Sequence, residues 1–314
     1  MAIMQLAMTG AYAQSSDELV DKMVYATKNL DYEGTFVFTR GKNMDVMRIL
    51  HKRDENGERE KLIALTGHAR EIIRNNDTVT CIFPDTQEVM VERSRTQGFT
   101  SRIPETIDLI AAYYDFSTIG EERVTGRDTW VVNISPKDEF RYGYRLWIDM
   151  ENYLLLKSEM LDGEDRSLET VMFTELLVRN SIDDAEFQPS ITGNEYTWHQ
   201  FNQGAILSAN ESQAEDNSWR TTWMPEGFKL NVSGESVSSD VDPKMEHMIF
   251  TDGISTVSIF IEKLNSVNPI NNGSLNMGGV NVYSTTRGGF QVTAIGEVPQ
   301  PTVVRMADSV VPNN

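Results

Sequence analysis

Residues 140–149 read FRYGYRLWID, and this stretch decides the fold of the larger part of the chain. Its even-numbered positions are all aromatic or aliphatic, whereas Arg141, Arg145 and Asp149 stand between them. An apolar face that alternates with a more polar one is typical of a β-strand. Residues 153–161 follow closely and keep the same two-residue period. The two segments therefore predict neighbouring antiparallel strands.

The same period extends outward in both directions. Turn signals such as Asn56-Gly57 and Asp162-Gly163 separate the alternating segments and favour hairpins. We expect strands near residues 32–39, 44–51, 60–66, 69–75, 78–84, 87–93, 116–124, 128–135, 140–149, 153–161 and 166–178. About ten antiparallel strands with short connections predict a large curved sheet, or an unclosed antiparallel β-barrel.

Two helical segments interrupt the strand pattern. Ser15 and Glu18 form a capping-box pair, and the apolar residues after them recur at helical spacing, which predicts a helix over 16–30. A second helix is expected after Pro104, with one apolar side formed by Ile107, Ile110, Ala111 and Tyr114. Two short helices cannot fill the concave side of ten strands, so the remaining space is either a ligand cavity or a domain interface.

Composition changes divide the chain into four parts. Residues 1–13 end in Ala11-Tyr12-Ala13 and are interpreted as a residual signal peptide or a disordered tail. Residues 14–186 form the β domain, the polar stretch 187–218 a linker, and 219–314 a smaller C-terminal domain of strands with a final helix after Pro301. The expected class is mainly β with few helices (α+β), the helices covering the unclosed barrel.

The composition excludes several classes of function. The formal net charge is −19 at pH 7, which argues against a nucleic-acid partner because phosphate contacts need clustered cations. No apolar run reaches the ~18–20 residues of a spanning helix. The single cysteine, Cys81, cannot form an intrachain disulfide.

No catalytic or metal-binding pattern stands out. The four histidines have no partner His or Cys at ligand spacing, and the chain has neither a Gly-x-Ser-x-Gly nor a phosphate-binding loop motif. We therefore expect a protein that is not an enzyme and that uses no cofactor and no metal.

The central block carries a family resemblance. Residues 113–116 (YYDF), 120–132 (GEERVTGRDTWVV) and 141–149 (RYGYRLWID) resemble the RseB/MucB family, and residues 219–228 (WRTTWMPEGF) resemble the start of its smaller domain. The resemblance implies a larger domain similar to the lipoprotein carriers LolA and LolB. It also implies a periplasmic protein that binds the periplasmic region of the anti-sigma factor RseA or MucA. Binding would shield that region from site-1 proteolysis and repress sigma-E, until lipid-type signals such as lipopolysaccharide prompt release.

Three groups of residues are candidates for binding. The expected lining of a lipid cavity consists of Phe36, Phe38, Ile49, Ile63, Leu65, Tyr142, Tyr144 and Leu146. The expected contacts to the anti-sigma factor, in the smaller domain and the groove between the domains, are Trp219, Trp223, Phe228, Asp252 and Gly253. The expected patch for an anionic head group consists of Arg93, Arg95 and Arg102.

Each group has a plainer alternative. Trp219 and Trp223 also suit core packing at the start of the second domain, and the arginines also suit a solvated surface. A periplasmic lipid or lipoprotein carrier without a regulatory role is the alternative function, although a plain carrier would not need the second domain. The sequence leaves open whether the chain forms a homo-oligomer.

Overall fold

The structure of the protein, a computed structural model, describes residues 14–93, 107–190, 196–201, 218–236, 245–264 and 272–313. Strands dominate these residues, and two α-helices and two short 3-10 helices accompany them. The mainly β class expected from the sequence is confirmed, with a large unclosed sheet in the first domain and a smaller α+β second domain.

The first domain follows the predicted order of elements closely. Its elements are α1 (Ser16–Asn29), β1 (Tyr32–Arg40), β2 (Asn43–Asp54), β3 (Gly57–Ala64), β4 (Glu71–Asn75), β5 (Thr78–Phe83), β6 (Glu88–Arg93), β7 (Tyr114–Val124), β8 (Arg127–Pro136), β9 (Gly143–Asp149), β10 (Leu155–Leu161), β11 (Ser167–Val178) and β12 (Thr197–Phe201).

These twelve strands form one sheet. Two strands that are far apart in the sequence pair in the middle of it. Strands β1 to β6 lie in order on one side of the join, and β11 back to β7 lie on the other. The join is the antiparallel pair of β1 and β11, in which Phe36 lies opposite Phe173. Strand β12 lies within the stretch that we expected to be a linker, and it adds to β6 in parallel. The chain runs over a face of the sheet after β11, and a crossover of this kind delivers a parallel strand.

Helix α1 covers the inner face of this sheet. The Ser15 hydroxyl accepts a hydrogen bond from the Glu18 amide at 3.2 Å, as the capping pattern predicted. The buried side of the helix packs into two core clusters, one with residues of β8 and β9 and the other with residues of β1 to β3. Its buried residues are Leu19, Val20, Met23, Val24, Ala26 and Thr27.

The second predicted helix differs from the structure. Among the described residues the segment is a 3-10 helix, Ile107–Leu109, and the chain enters β7 at Tyr114. Ile110 and Tyr114 are buried, as the apolar spacing indicated. Tyr114 nevertheless pairs with Pro136 in the sheet, so strand pairing ends the helical turn there. Residues 104–106 lie outside the described part of the chain.

The outer face of strands β2 and β3 is covered by the segment that follows β11. Ile182 and Phe187 pack against Leu50, and the Lys61 ammonium donates to the carbonyl oxygen of Gln188 at 2.7 Å. A short 3-10 helix, Asp184–Phe187, shapes this segment. The start of the expected linker is therefore fixed on the first domain.

The second domain is a six-stranded antiparallel sheet with one helix on one face. Its elements are β13 (Trp219–Thr221), β14 (Lys229–Ser236), β15 (Met245–Thr251), β16 (Thr256–Lys263), β17 (Gly273–Met277), β18 (Val280–Arg287), β19 (Phe290–Gly296), α2 (Gln300–Asp308) and β20 (Val310–Pro312). The sheet order is β14-β15-β16-β19-β18-β17, and β13 pairs separately with β20. Gly288 and Gly289 form the turn between β18 and β19 with positive φ, as expected for a glycine pair.

Candidate functional site

Arg141 is enclosed at the boundary between the two domains, and none of its side chain is exposed. Its Nε donates to Oδ2 of Asp252, in the second domain, at 2.6 Å. Its two terminal nitrogens donate to the Asp138 carboxylate and to the carbonyl oxygen of Glu226. Each nitrogen therefore has an acceptor, as a buried guanidinium requires.

Three aromatic rings surround the same guanidinium. Its carbon lies 5.0 Å from the ring centre of Tyr113, 5.1 Å from that of Phe228 and 5.9 Å from that of Tyr114. A cation over aromatic faces is attracted by the negative charge density of the rings. The second domain contributes Phe228, so it supplies part of this aromatic surround as well as the counter-ion.

Asp252 lies at the tip of the β15–β16 hairpin and is also completely enclosed. Its Oδ1 accepts from the backbone amides of Ile254 at 3.0 Å and Ser255 at 2.8 Å, and its Oδ2 accepts from the Tyr114 hydroxyl at 3.0 Å. Burial, together with the charge of Asp252, raises the pKa of Tyr114 far above its usual range, so this phenol stays protonated and donates. Ile254 beside it belongs to the core cluster of the first domain.

Further polar contacts cross the boundary. The side-chain amide of Asn281 donates to the Tyr142 hydroxyl at 2.9 Å and to the carbonyl oxygen of Val298 at 2.8 Å. The Thr302 hydroxyl donates to the carbonyl oxygen of Phe140 at 2.9 Å. The second domain thus docks on the first through hydrogen bonds and ion pairs, among them Arg40 with Glu297 at 3.8 Å, together with apolar contacts such as that of Ile254.

A cleft of about 1100 Å³ lies between the two domains beside these contacts. The first domain supplies the turns at 135–139 and 162–168, and the second supplies Asn276, Gly278 and residues 299–301. A cleft of this size takes a segment of a partner chain as readily as a small ligand.

The cleft carries more acidic than basic side chains. The Arg166 guanidinium among them is paired with Asp162 at 2.8 Å and Glu164 at 3.0 Å, and Arg141 is buried as described. The charged residues that line the cleft are Lys137, Asp138, Glu139, Arg141, Asp162, Glu164, Asp165 and Arg166. The surplus of carboxylates favours a partner segment with positive charge.

The candidate contacts to the anti-sigma factor lie in two different places in the structure. Phe228, Asp252 and Gly253 lie at the domain boundary, where Trp223 also packs edge-on against Phe140 with ring centres 5.1 Å apart. Trp219 lies apart from them, buried in the core of the second domain. The contacts described for these side chains are within the chain, so their role toward a partner stays a proposal.

The candidate residues for the lipid cavity do not share one surface. Phe36 and Ile49 are buried in one core cluster, and Tyr142, Tyr144 and Leu146 in another. Phe38 is half-buried beside the first cluster.

Ile63 and Leu65 are placed differently from the other candidates. The register pairs Ile49 with Leu62, so Leu62 rather than Ile63 shares a face with Ile49. The Leu65 side chain is 53% exposed. A shift of one residue in a strand moves a side chain to the other face, and the alternation of residue types does not fix that shift before the register is known.

The expected head-group patch lies largely outside the described residues. Arg93 ends β6 opposite Thr78. Arg95 and Arg102 lie outside the described part of the chain, so the patch stays a prediction.

Sequence reasoning missed Arg141 and Asn281 as contacts between the domains. The alternation put Arg141 inside a strand, whereas in the structure it precedes β9, and its partner Asp252 lies 111 positions further along the chain. Only the Asp252-Gly253 turn was an available signal, and it indicated a hairpin without indicating what the tip contacts.

Within the described residues, no group of three or more His, Cys, Asp or Glu side chains is arranged to hold a metal ion. No helix in that part of the chain has both the length and the apolar character needed to cross a membrane.

The fold and the cleft define a two-domain, mainly β protein with a polar domain boundary and an acidic groove beside it. The chain belongs to the MucB/RseB family, because the family's N-terminal domain matches residues 15–191 and its C-terminal domain matches residues 213–311.

Curated relatives match over nearly their whole length. The sigma-E factor regulatory protein RseB of Haemophilus influenzae is 28% identical, over 99% of this chain and 95% of that protein. The sigma factor AlgU regulatory protein MucB of Pseudomonas aeruginosa is also 28% identical, over 98% of this chain and 94% of that protein.

A solved structure agrees with both domains. The chain is similar to a structure described as the complex of Pseudomonas aeruginosa MucA and MucB, with a TM-score of 0.75 and 26% identity. That match covers 95% of this chain and 99% of the other.

Proposed function

We propose that this protein is a periplasmic regulator that binds the periplasmic region of an anti-sigma factor. By covering that region it shields the anti-sigma factor from site-1 proteolysis and so represses the sigma-E response. The observation that carries the proposal is the match of both domains to relatives named as sigma factor regulators, one of them solved in complex with MucA. We infer that the protein acts by binding and catalyses no reaction.

The groove between the domains is our proposed seat for part of the partner. Its volume of about 1100 Å³ and its surplus of carboxylates suit a segment of chain with positive charge. Glu139 and Asp165 are exposed acidic residues on its rim, one from each of the two first-domain turns.

The experiment is a titration of the full chain with a synthetic periplasmic peptide of the anti-sigma factor encoded beside an extracytoplasmic sigma factor in the same genome. Calorimetry should give a dissociation constant of about 10 μM or lower. No heat of binding at peptide concentrations of about 100 μM would overturn the proposed function.

A pair of charge reversals tests the groove separately. Glu139→Lys should weaken peptide binding about tenfold, because it places a positive charge where a positive segment binds. Asp77→Lys makes the same change of charge in the exposed β4–β5 turn and should leave binding within about twofold. Equal effects of the two variants would contradict binding of the peptide in the groove. They would not contradict binding of the peptide to the protein.

The second part of the proposal is that an acylated ligand, such as lipopolysaccharide, prompts release of the partner. It is supported by half-buried apolar side chains beside the first-domain core, including Phe38, Ile72 and Val171. Native mass spectrometry after mild extraction should detect bound acyl species. A lipid carrier without a regulatory role would show acyl species and no binding of the peptide.

A further inference from the structure

We propose that the tip of the β15–β16 hairpin, residues 252–255, is a reversible latch that sets the position of the second domain on the first and thereby the width of the groove. The latch consists of Asp252 docked on Arg141 and Tyr114, with Ile254 seated in the first-domain core.

The second-domain half is complete within the hairpin itself. Oδ1 of Asp252 is held by the amides of Ile254 and Ser255, and the Thr251 hydroxyl donates to the carbonyl oxygen of Ser255 at 2.8 Å. Gly253 has a φ of 109°, a conformation that glycine adopts without strain. The hairpin therefore presents its Oδ2 oxygen without help from the first domain.

The first-domain half keeps part of its own surroundings. Arg141 keeps a carboxylate partner in Asp138 and two aromatic neighbours in Tyr113 and Tyr114, all of its own domain. When the second domain leaves, the guanidinium retains charge compensation from Asp138, and water replaces the acceptors lost at Nε and at the terminal nitrogen that donates to Glu226. Side chains that are already held in place before contact lower the ordering cost of docking.

The contact between Asp252 and Arg141 requires a defined position of the second domain but contributes only a modest free energy. A buried ion pair gains little net free energy, since the loss of hydration offsets most of the attraction, but it tolerates little displacement. Polar boundaries between domains also allow relative motion more readily than large apolar ones. Asp252–Arg141 therefore fixes where the second domain sits and leaves it free to separate.

The test measures a distance between the domains in the full chain. Spin labels on Asp77→Cys and Ser274→Cys, in a Cys81→Ser background, place one probe on an exposed residue of each domain. Double electron–electron resonance should give one narrow distance distribution for the parent. Asp252→Asn, which keeps the turn acceptor and removes the charge, should broaden the distribution or add a second, longer distance.

Two further variants make the result decisive. Asp138→Asn removes the other carboxylate from the same guanidinium but lies in the first domain, so it should leave the distribution unchanged. Ile254→Ala tests the apolar part of the latch by a small truncation and should broaden the distribution as Asp252→Asn does. Folded Asp252→Asn and Ile254→Ala proteins that both keep the parent distribution would overturn the latch, and so would an equal broadening by Asp138→Asn.

A second measurement rests on the proposed function. Asp252 does not line the groove, so Asp252→Asn should raise the dissociation constant of the anti-sigma peptide only through the changed groove, by about tenfold. Failure of the parent to bind the peptide would contradict the proposed function and leave the distance test intact. Peptide binding equal in the parent and in a variant with a broadened distribution would contradict the link between latch and groove.

Discussion

The side-chain amide nitrogen of Asn281 in β18 lies 2.9 Å from the hydroxyl oxygen of Tyr142, which precedes β9, so a hydrogen bond joins the two domains here. The same nitrogen donates to the carbonyl oxygen of Val298 at 2.8 Å. Both side chains are buried, which makes the loss of either partner costly. This bond uses other side chains than the Arg141–Asp252 pair and is a second polar contact between the domains.

Replacing Asn281 by Ala should lower the free energy of unfolding by about 1–3 kcal/mol, because two buried oxygens lose their donor. Tyr142→Phe should cost less, about 1 kcal/mol, since the Asn281 amide keeps Val298 as an acceptor. Chemical denaturation followed by circular dichroism measures both values. The control is Ser274→Ala on the exposed edge strand β17, and a cost for Asn281→Ala no larger than that of the control would contradict the role of the bond.

Alanine substitutions at Gly227 and Gly288 distinguish the cost of backbone strain from the cost of a steric overlap. Both have positive φ, but a Cβ at Gly227 would overlap the Tyr113 ring at the domain boundary, whereas one at Gly288 would meet nothing within 4 Å. Gly288→Ala should cost about 1–2 kcal/mol, the usual penalty for a side chain at positive φ. Gly227→Ala should cost clearly more in the same denaturation experiment. Equal costs would show that the Tyr113 ring moves aside.

Acidification should destabilise the second domain through His247. Its ring stacks on Phe260 with centroids 4.2 Å apart, and burial lowers the pKa of His247 below its usual value of 6.5. The unfolded chain therefore binds the proton more readily, so stability is full above about pH 6.5 and falls as the pH drops below it. The slope contributed by this one group is at most about 1.4 kcal/mol per pH unit.

His247→Phe keeps a ring in the stack and removes the titration, so its stability should depend less on pH between about 6.5 and the lowered value. His68→Gln is the control, because the His68 side chain is 98% exposed. Thermal unfolding across this pH range measures the difference. An acid slope that is unchanged in His247→Phe would exclude His247 as its source.

A substitution at Phe187 tests whether the segment after β11 packs on the outer face of the first-domain sheet. It is buried against Leu50 and Ile182, so Phe187→Ala should lower the free energy of unfolding by about 3 kcal/mol. Gln188→Ala, next in the chain and exposed, should cost less than about 0.5 kcal/mol. Denaturation of the two variants decides whether the residues after 186 belong to the folded first domain or to a linker, since a linker residue would show no large cost.

Much of the fold was predictable because its signals are local. The alternation over 143–149, the capping pair Ser15 and Glu18, and the hairpin signal Asn56-Gly57 each act within a few residues, and the structure confirms them. The helix expected around Ile107 was wrong for the described residues because pairing of Tyr114 with Pro136 overrides a local helical preference.

The candidate site was less predictable because its contacts join distant positions. Asp252 was expected to contact the anti-sigma factor, and in the structure its carboxylate accepts from Arg141 and Tyr114 of the other domain. Ile63 was grouped with Ile49 by alternation, yet the strand register pairs Ile49 with Leu62. The neighbouring residues in the sequence determine neither the register of a strand nor the partner of a buried charge.

The sequence by itself determined the class, the order of strands, the family and the acidic character of this protein, because periodicity, turn residues and charge act along the chain. Only the tertiary structure decided that β12 adds in parallel, that residues 187–190 cover the first sheet, and that Arg141 meets Asp252 at the domain boundary. The physical reason is that burying a charge or an apolar side chain depends on which distant surfaces meet, and that is settled by the packing of the whole molecule.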